Sequence, residues 1–300
     1  MSWRVVVVAS SAKIDYRMDY LTVRTQEDVK RIHISEIGVL LIESTAVSIT
    51  AYALCELTEH KAKVIFCDKL RNPVAELLPL HGSHDSSGRL RRQTRWTERA
   101  KEAVWTEIVR EKIRRQRDVL ALRALPQAEV LDGYLNELRM NDASNREGHA
   151  AKVYFNALFG LDFSRGKDCP LNAALNYGYS LILSAVNREI AAAGYAAQLG
   201  IFHDNAFNPF NLGCDFMEPL RPLIDHEVAL MAPVRFEREE KMELVGLLNR
   251  EVSVSGTRQH LLHALKLYCA SLFRAIDEEN VSEIKWIHYE LPVYESDRIF

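Results

Sequence analysis

Along the first eighty residues, hydrophobic and polar positions change places in short steps. The runs RVVVVAS (4–10), AKIDYR (12–17) and YLTVRT (20–25) are rich in β-branched and aromatic residues and are separated by polar breaks such as Arg17–Asp19. This pattern predicts strands, and RIHIS and GVLLIE continue it. From Ser44 the period lengthens. Val47, Thr50, Ala51, Leu54 and Leu57 fall at helical spacing, with Ser44 or Thr45 placed to cap the start. KVIFCD (63–68) returns to a strand pattern. HGSHDSSG (81–88) has no period and reads as a boundary. Beyond it the spacing predicts long helices over 97–125, over 173–193 (apolar nearly all round, with Gly194 at its end) and over 258–277. No repeat of 20–50 residues is present. The expectation is an α+β protein: a small β-rich domain over 1–80, a sheet with one helix packed on it, a linker over 81–96, and a larger all-α domain over 97–300.

Composition narrows the class. The 300 residues are 48% hydrophobic and 26% charged, as in an ordinary globular protein. No apolar run approaches the roughly 18 residues of a membrane helix. The opening MSWRVVVVASS is shorter than a secretory signal. The expected location is the cytoplasm, away from any membrane. Five scattered cysteines without a C-x-x-C pair argue against a zinc ribbon or a disulfide framework. The net charge of −3 is uneven: between Arg89 and Arg123 there are 12 Lys or Arg against 5 Asp or Glu. Trp96 and Trp105 lie among these basic residues. The block reads either as a solvated helix face or as a surface for a polyanion. Arg91, Arg92 and Arg95 are its candidates for DNA contact.

Three stretches of the helical half carry candidate chemistry. In NREGHAAKVYF (145–155), Glu147 shares a helix face with Ala150, Ala151, Tyr154 and Leu158, yet Ser144-x-x-Glu147 also fits a capping box. In GIFHDN (200–205), His203 follows an apolar pair and fits either a structural role or a ligand. In CDFMEPLRP (214–222), Pro219 suits a first helical position, so Asp215 and Glu218 fit a helix start as well as a metal site, and Arg221 can pair with either acid. No local rule requires Glu147, His203 and Glu218 together. Two carboxylates and an imidazole suit a divalent cation: carboxylates favour Mg²⁺ or Mn²⁺, the imidazole tilts toward Mn²⁺, and spacing leaves zinc open. Such an ion beside a basic surface suits phosphodiester chemistry.

On these residues the chain resembles the Cas1 family, the metal-dependent DNA integrases and endonucleases of CRISPR spacer acquisition, and looks most like the type II branch. The matching stretches are EGHAAKVYFNALFG (147–160), LNAALNYGYSLILSAVNREIAAAGY (171–195), GIFHDN and DFMEPLRPLID (215–225), with MSWRVVVVASSAKIDY and AVSITAYALCELTEHKAKVIFCD (46–68) in the β region. The resemblance implies a β-sandwich-like N-terminal domain, the expected dimer contact, followed by a helical catalytic domain. It implies Glu147, His203 and Glu218 as catalytic metal ligands for Mg²⁺ or Mn²⁺, with Asp215 in support and Arg221 near the scissile phosphate. The implied reaction inserts a short captured DNA into a CRISPR repeat by 3′-hydroxyl attack on a phosphodiester. Implied partners are a second copy of the chain, the small protein Cas2, and the type II effector nuclease with an accessory protein. Two other readings stay open: a structure-specific nuclease of DNA repair, and a DNA-binding scaffold without catalysis.

Overall fold

A computed structural model describes residues 4–69, 71–77 and 85–291. Eight strands come first: β1 (Arg4–Val8), β2 (Ala12–Arg17), β3 (Tyr20–Arg24), β4 (Val29–His33), β5 (Ile37–Ile42), β6 (Val47–Ile49), then helix α1 (Ala51–Glu59), β7 (Lys63–Cys67) and β8 (Pro73–Leu77). They form two four-stranded sheets, ordered β1-β5-β7-β8 and β4-β3-β2-β6. The chain then runs through α2 (Ser86–Gln93), α3 (Glu98–Leu122), α4 (Gln127–Glu137), α5 (Arg146–Phe159), α6 (Pro170–Ala192), α7 (Asn211–Met217), α8 (Arg221–Met231) and α9 (Arg238–Gly246). A β9 (Glu251–Val254) and β10 (Thr257–His260) hairpin follows, then α10 (Leu261–Asp277) and β11 (Ile287–His288). Among the described residues no helix is long and apolar enough to cross a membrane.

The fold is α+β, and its two halves share a sheet. All six residues of β5, IGVLLI, are buried, as expected of a strand covered on both faces. Val39 and Leu41, with Ile65 and Cys67 of β7, belong to the helical core. Leu40 and Ile42, with Val64, belong to a smaller core with Ile14, Leu21 and Leu57. Each fully buried aliphatic side chain is worth about 1.5–3 kcal/mol, so alternate residues of one strand stabilise both halves.

Several expectations are corrected in detail. Val47 and Ile49 are not the first turn of a helix. They lie in β6, parallel to residues 12–14 of β2, and α1 starts at Ala51, where the Thr50 hydroxyl accepts the Ala53 N–H at 3.2 Å. The expected linker contains helix α2, while 81–84 lie outside the described residues. The C-terminal half is not all helix: β9, β10 and β11 make a three-stranded antiparallel sheet. Residues 258–260, expected to open a helix, pair instead with β9.

Helix α3 is the axis of the helical half. Thr97 caps it through the Ala100 N–H at 3.1 Å, and its buried side includes Val104, Trp105, Ile108, Val109, Lys112, Ile113, Gln116, Val119 and Leu120. Helix α6 packs against α8 so closely that a Cβ on Gly178 would lie 2.5 Å from Ile224 Cγ2. Gly178→Ala is therefore expected to cost about 1–3 kcal/mol through overpacking; chemical denaturation measures it, and an unchanged midpoint would contradict this packing.

Candidate active site

The α5 start places the first acid. Residues Met140–Asp142 form a 3-10 turn and Asn145 has φ 51° before the helix begins at Arg146. The Asp142 carboxylate accepts the N–H groups of Arg146 (2.6 Å) and Glu147 (3.0 Å). The Ser144 hydroxyl donates elsewhere, to the Glu137 carbonyl at 3.3 Å. The capping box that Ser144-x-x-Glu147 allows is therefore not formed, because Asp142 takes the Glu147 N–H that the Ser144 hydroxyl would have to accept. The Glu147 carboxylate is left to accept the Lys112 ammonium at 2.6 Å.

The MEPLRP stretch places the second. Pro219 and Pro222 lack the N–H that a continuous helix requires, so α7 ends at Met217, a 3-10 turn covers Glu218–Leu220, and α8 starts at Arg221. Pro219 thus falls in the turn rather than at a helix start, and no side chain caps α8. Glu218 is 3% exposed. Its Oε2 accepts the Lys112 ammonium at 2.5 Å and its Oε1 accepts Arg221 Nε at 2.8 Å. Burial pushes the Glu218 carboxyl up, but the two cations outweigh it and hold the group at about 2. Burial likewise disfavours the Lys112 ammonium, and Glu218 and Glu147 outweigh that too, leaving it above its ordinary value. The Arg221 guanidinium lies over the Tyr179 ring, 4.6 Å from its centroid.

Asp215 organises the histidine loop. Fully buried near the end of α7, it accepts the backbone N–H groups of Ile201 (2.7 Å), Phe202 (3.2 Å) and His203 (3.1 Å), and pairs with His203 Nδ1 at 2.6 Å. The hydrogen bond to Asp215 raises the imidazole above its ordinary value against the pull of burial, and the charges of Glu218 and Glu147 add to the rise. Gly200 permits this approach, since a Cβ there would sit 2.2 Å from the His203 carbonyl oxygen and 2.8 Å from Asp215 Oδ2. Trp105 stacks under Phe202 at 4.2 Å and meets the His203 ring edge-on at 5.8 Å. A cleft of about 660 Å³ opens beside them, lined in part by Trp96, Lys101, Asn141, Phe202 and His203.

A family model for CRISPR associated protein Cas1 matches residues 5–235. The CRISPR-associated endonuclease Cas1 of Neisseria meningitidis serogroup C (strain 8013) is 33% identical over 291 residues, covering 95% of this chain and 96% of that protein. The chain belongs to the Cas1 family. Among solved structures, a casposase bound to integration product superposes with a TM-score of 0.74 at 19% identity, covering 100% of this chain and 96% of that one. A Cas1 protein from Thermotoga maritima gives 0.72 at 17% identity over 91% of this chain and 97% of its own. At these identities the two structures speak for the fold.

Within this Cas1 fold the expected site residues are distributed as follows. Glu147 and Glu218 meet on one ammonium, His203 turns its Nδ1 onto Asp215, and Arg221 closes on Glu218. Among the described residues, no three His, Cys, Asp or Glu are drawn as close together as a shared ion requires; Lys112 stands between the two acids. The donor set fits a divalent cation in kind: two carboxylates, and an imidazole whose Nδ1 is already backed by a carboxylate, leaving Nε2 to ligate. Lys112 escapes notice when the sequence is read for acids and histidines. Its signal is positional, since it follows Ile108 and Val109 by four and three residues on the buried face of α3. The basic block divides. Arg91, Arg92 and Arg95 are exposed around α2, and Arg92 pairs with Asp277 at 3.2 Å. Arg115 and Arg117 instead pair within the fold, with Glu111 (2.8 Å) and Asp132 (3.0 Å). Of the two tryptophans, Trp105 is fully buried, while Trp96 is half-buried at the cleft, stacks on Tyr195 and donates to Asp277 at 2.8 Å.

Asp225 lies behind the site, accepting the Tyr179 hydroxyl. Burial pushes its carboxyl up to about 7 from 3.8, despite that bond and the nearby Arg221 and Lys112 charges. The folded chain then keeps a proton that the unfolded chain releases near 3.8, so this group lowers stability as pH rises through the window up to about 7. Asp225→Asn, which mimics the protonated acid, is expected to flatten that part of the pH profile. Thermal unfolding from about pH 5 to about pH 8 should show wild type losing more than the variant. Parallel profiles would contradict the assignment.

Proposed function

We propose that this Cas1-family chain is a CRISPR adaptation integrase: it joins the 3′-hydroxyl of a short captured DNA to a phosphodiester at the edge of a CRISPR repeat. The observation that carries the reading is the convergence of Glu147 and Glu218, from separate helical elements, on one buried cation, with Arg221 on the remaining Glu218 oxygen. Glu147, His203 and Glu218 would hold Mg²⁺ or Mn²⁺, which when bound supplies charge to polarise a phosphoryl oxygen and to acidify a hydroxyl. The rest is the work of the chain itself. Asp215 fixes the orientation of the imidazole. Glu218 and the Tyr179 ring hold the Arg221 guanidinium, a planar donor suited to the equatorial oxygens of a phosphodiester under attack. The cleft beside His203 leaves room for a strand, and water entering in place of the hydroxyl would give nuclease activity with the same groups.

The relatives supply the context. One structural neighbour, a casposase, is bound to an integration product. Another is a Cas6-RT-Cas1–Cas2 complex, matched over 98% of this chain and 36% of that one with a TM-score of 0.71 at 18% identity. For this chain we accordingly propose DNA and Cas2 as partners, a homodimer built through the β domain, and work in the cytoplasm. The type II effector nuclease and its accessory protein would help choose the captured DNA. Exposed Arg91, Arg92 and Arg95 are the proposed contacts to the DNA backbone.

The test is strand transfer of a labelled short duplex with 3′-hydroxyl ends into a plasmid carrying the repeat, with Cas2 supplied. Joined product should require Mg²⁺ or Mn²⁺, vanish in EDTA, and fall on the order of a hundredfold or more in Glu218→Gln. Product that survives Glu218→Gln would keep the integrase and discard this site. No product from wild type with DNA binding intact would favour a scaffold. In the same preparation, changing Arg91, Arg92 and Arg95 to Gln should reduce the slope of log affinity against log salt by up to about 3; an unchanged slope removes these residues from the interface.

A further inference from the structure

We infer that Lys112 is an internal counter-cation that holds the metal position in the ion-free protein, so that metal binding and the Lys112 ion pairs exclude one another. The inference rests on the proposed metal site and concerns what guards it. The Lys112 side chain is 10% exposed and bridges Glu147 Oε1 at 2.6 Å and Glu218 Oε2 at 2.5 Å. The two oxygens therefore stand no further apart than these two contacts together allow. A single positive charge lies between two carboxylates from different helical elements, where an ion shared by both would have to sit.

Charge balance makes the two states exclusive. The charges of Lys112 and Arg221 cancel those of Glu147 and Glu218, and the Asp215 carboxylate behind His203 adds one negative charge. A divalent ion added with the ammonium in place would crowd three cationic groups, the ion, Lys112 and Arg221, around the Glu147 and Glu218 carboxylates in a largely buried site, which is costly. The ammonium must leave the two carboxylates for the ion to enter, and its ion pairs are lost from the metal affinity. By reciprocity, whatever draws Lys112 away, such as a phosphate of incoming DNA, tightens metal binding by the same factor. Removing the ammonium would leave the Glu147 and Glu218 carboxylates as two like charges close together.

Isothermal titration of Mn²⁺ into wild type, Lys112→Met, Lys112→Arg and Glu218→Gln tests this, with thermal unfolding in EDTA and in Mn²⁺ alongside. Lys112→Met should bind Mn²⁺ about tenfold more tightly or better, melt lower than wild type in EDTA, and gain more from added Mn²⁺. Lys112→Arg keeps the charge and should show no such gain. If wild type binds Mn²⁺ through Glu218 but Lys112→Met binds no more tightly, the inference is overturned and the metal site stands. If neither wild type nor Lys112→Met binds Mn²⁺ in a Glu218-dependent way, the metal site itself fails. Should Lys112→Met not fold, wild type decides. Acylation of Lys112 by an amine reagent, read by peptide mass spectrometry, should rise several-fold when Mn²⁺ is added; equal labelling would overturn the competition.

Discussion

Two carboxylates from distant parts of the chain, Glu147 and Glu218, are drawn against a packed interior, where an uncompensated charge costs several kcal/mol. Lys112 and Arg221 meet that cost. The Lys112 ammonium joins both acids, and the Arg221 guanidinium takes the Glu218 oxygen that Lys112 leaves. The helices have to be arranged to allow it: α3 presents Lys112 from its apolar side, α5 begins where Asp142 caps it, and α8 begins where two prolines break the path from α7. The Glu218 carboxyl, held down near 2, records how completely the cations outweigh burial. A site of this kind is poised for a cation, and the chain supplies one of its own.

A second buried acid does the organising around the histidine. Asp215 gathers three consecutive backbone N–H groups and one ring nitrogen, so a loop without regular structure is fixed as firmly as a helix end. Trp105 of α3 supports the same loop from below by stacking on Phe202. Helix α3 therefore serves both parts of the site, through Lys112 and through Trp105. The shared strand β5 ties this helical body to the β domain by packing rather than by a tether.

The outline of the fold is legible in the sequence because it rests on local periodicity. The runs of β1, β2, β3 and β7, and the stripes of α3, α6 and α10, are long enough to declare themselves. The exceptions have physical causes. Val47 and Ile49 fit either period, and their pairing with β2 decides. Thr257–His260 is held as a strand by β9, a partner that the local pattern does not contain. At the site, Glu147, His203, Asp215 and Glu218 are visible as residue types and family motifs, whereas their contacts are not. The capping box at Ser144 is a sound local rule that loses to Asp142, which reaches the Glu147 N–H from a turn with left-handed backbone. Lys112 hides inside a basic block that reads as surface. Only the helical phase of α3 separates it from the exposed arginines, and only the tertiary fold shows the two acids it joins.

The most direct measurement is anomalous diffraction at the manganese edge from crystals of the protein grown with Mn²⁺. The expected result is a peak bounded by the Glu147 and Glu218 carboxylates and the His203 imidazole, with the Lys112 ammonium no longer bridging the two acids. A peak elsewhere, or no peak at saturating Mn²⁺ with Lys112 still bridging the two acids, would contradict the metal site.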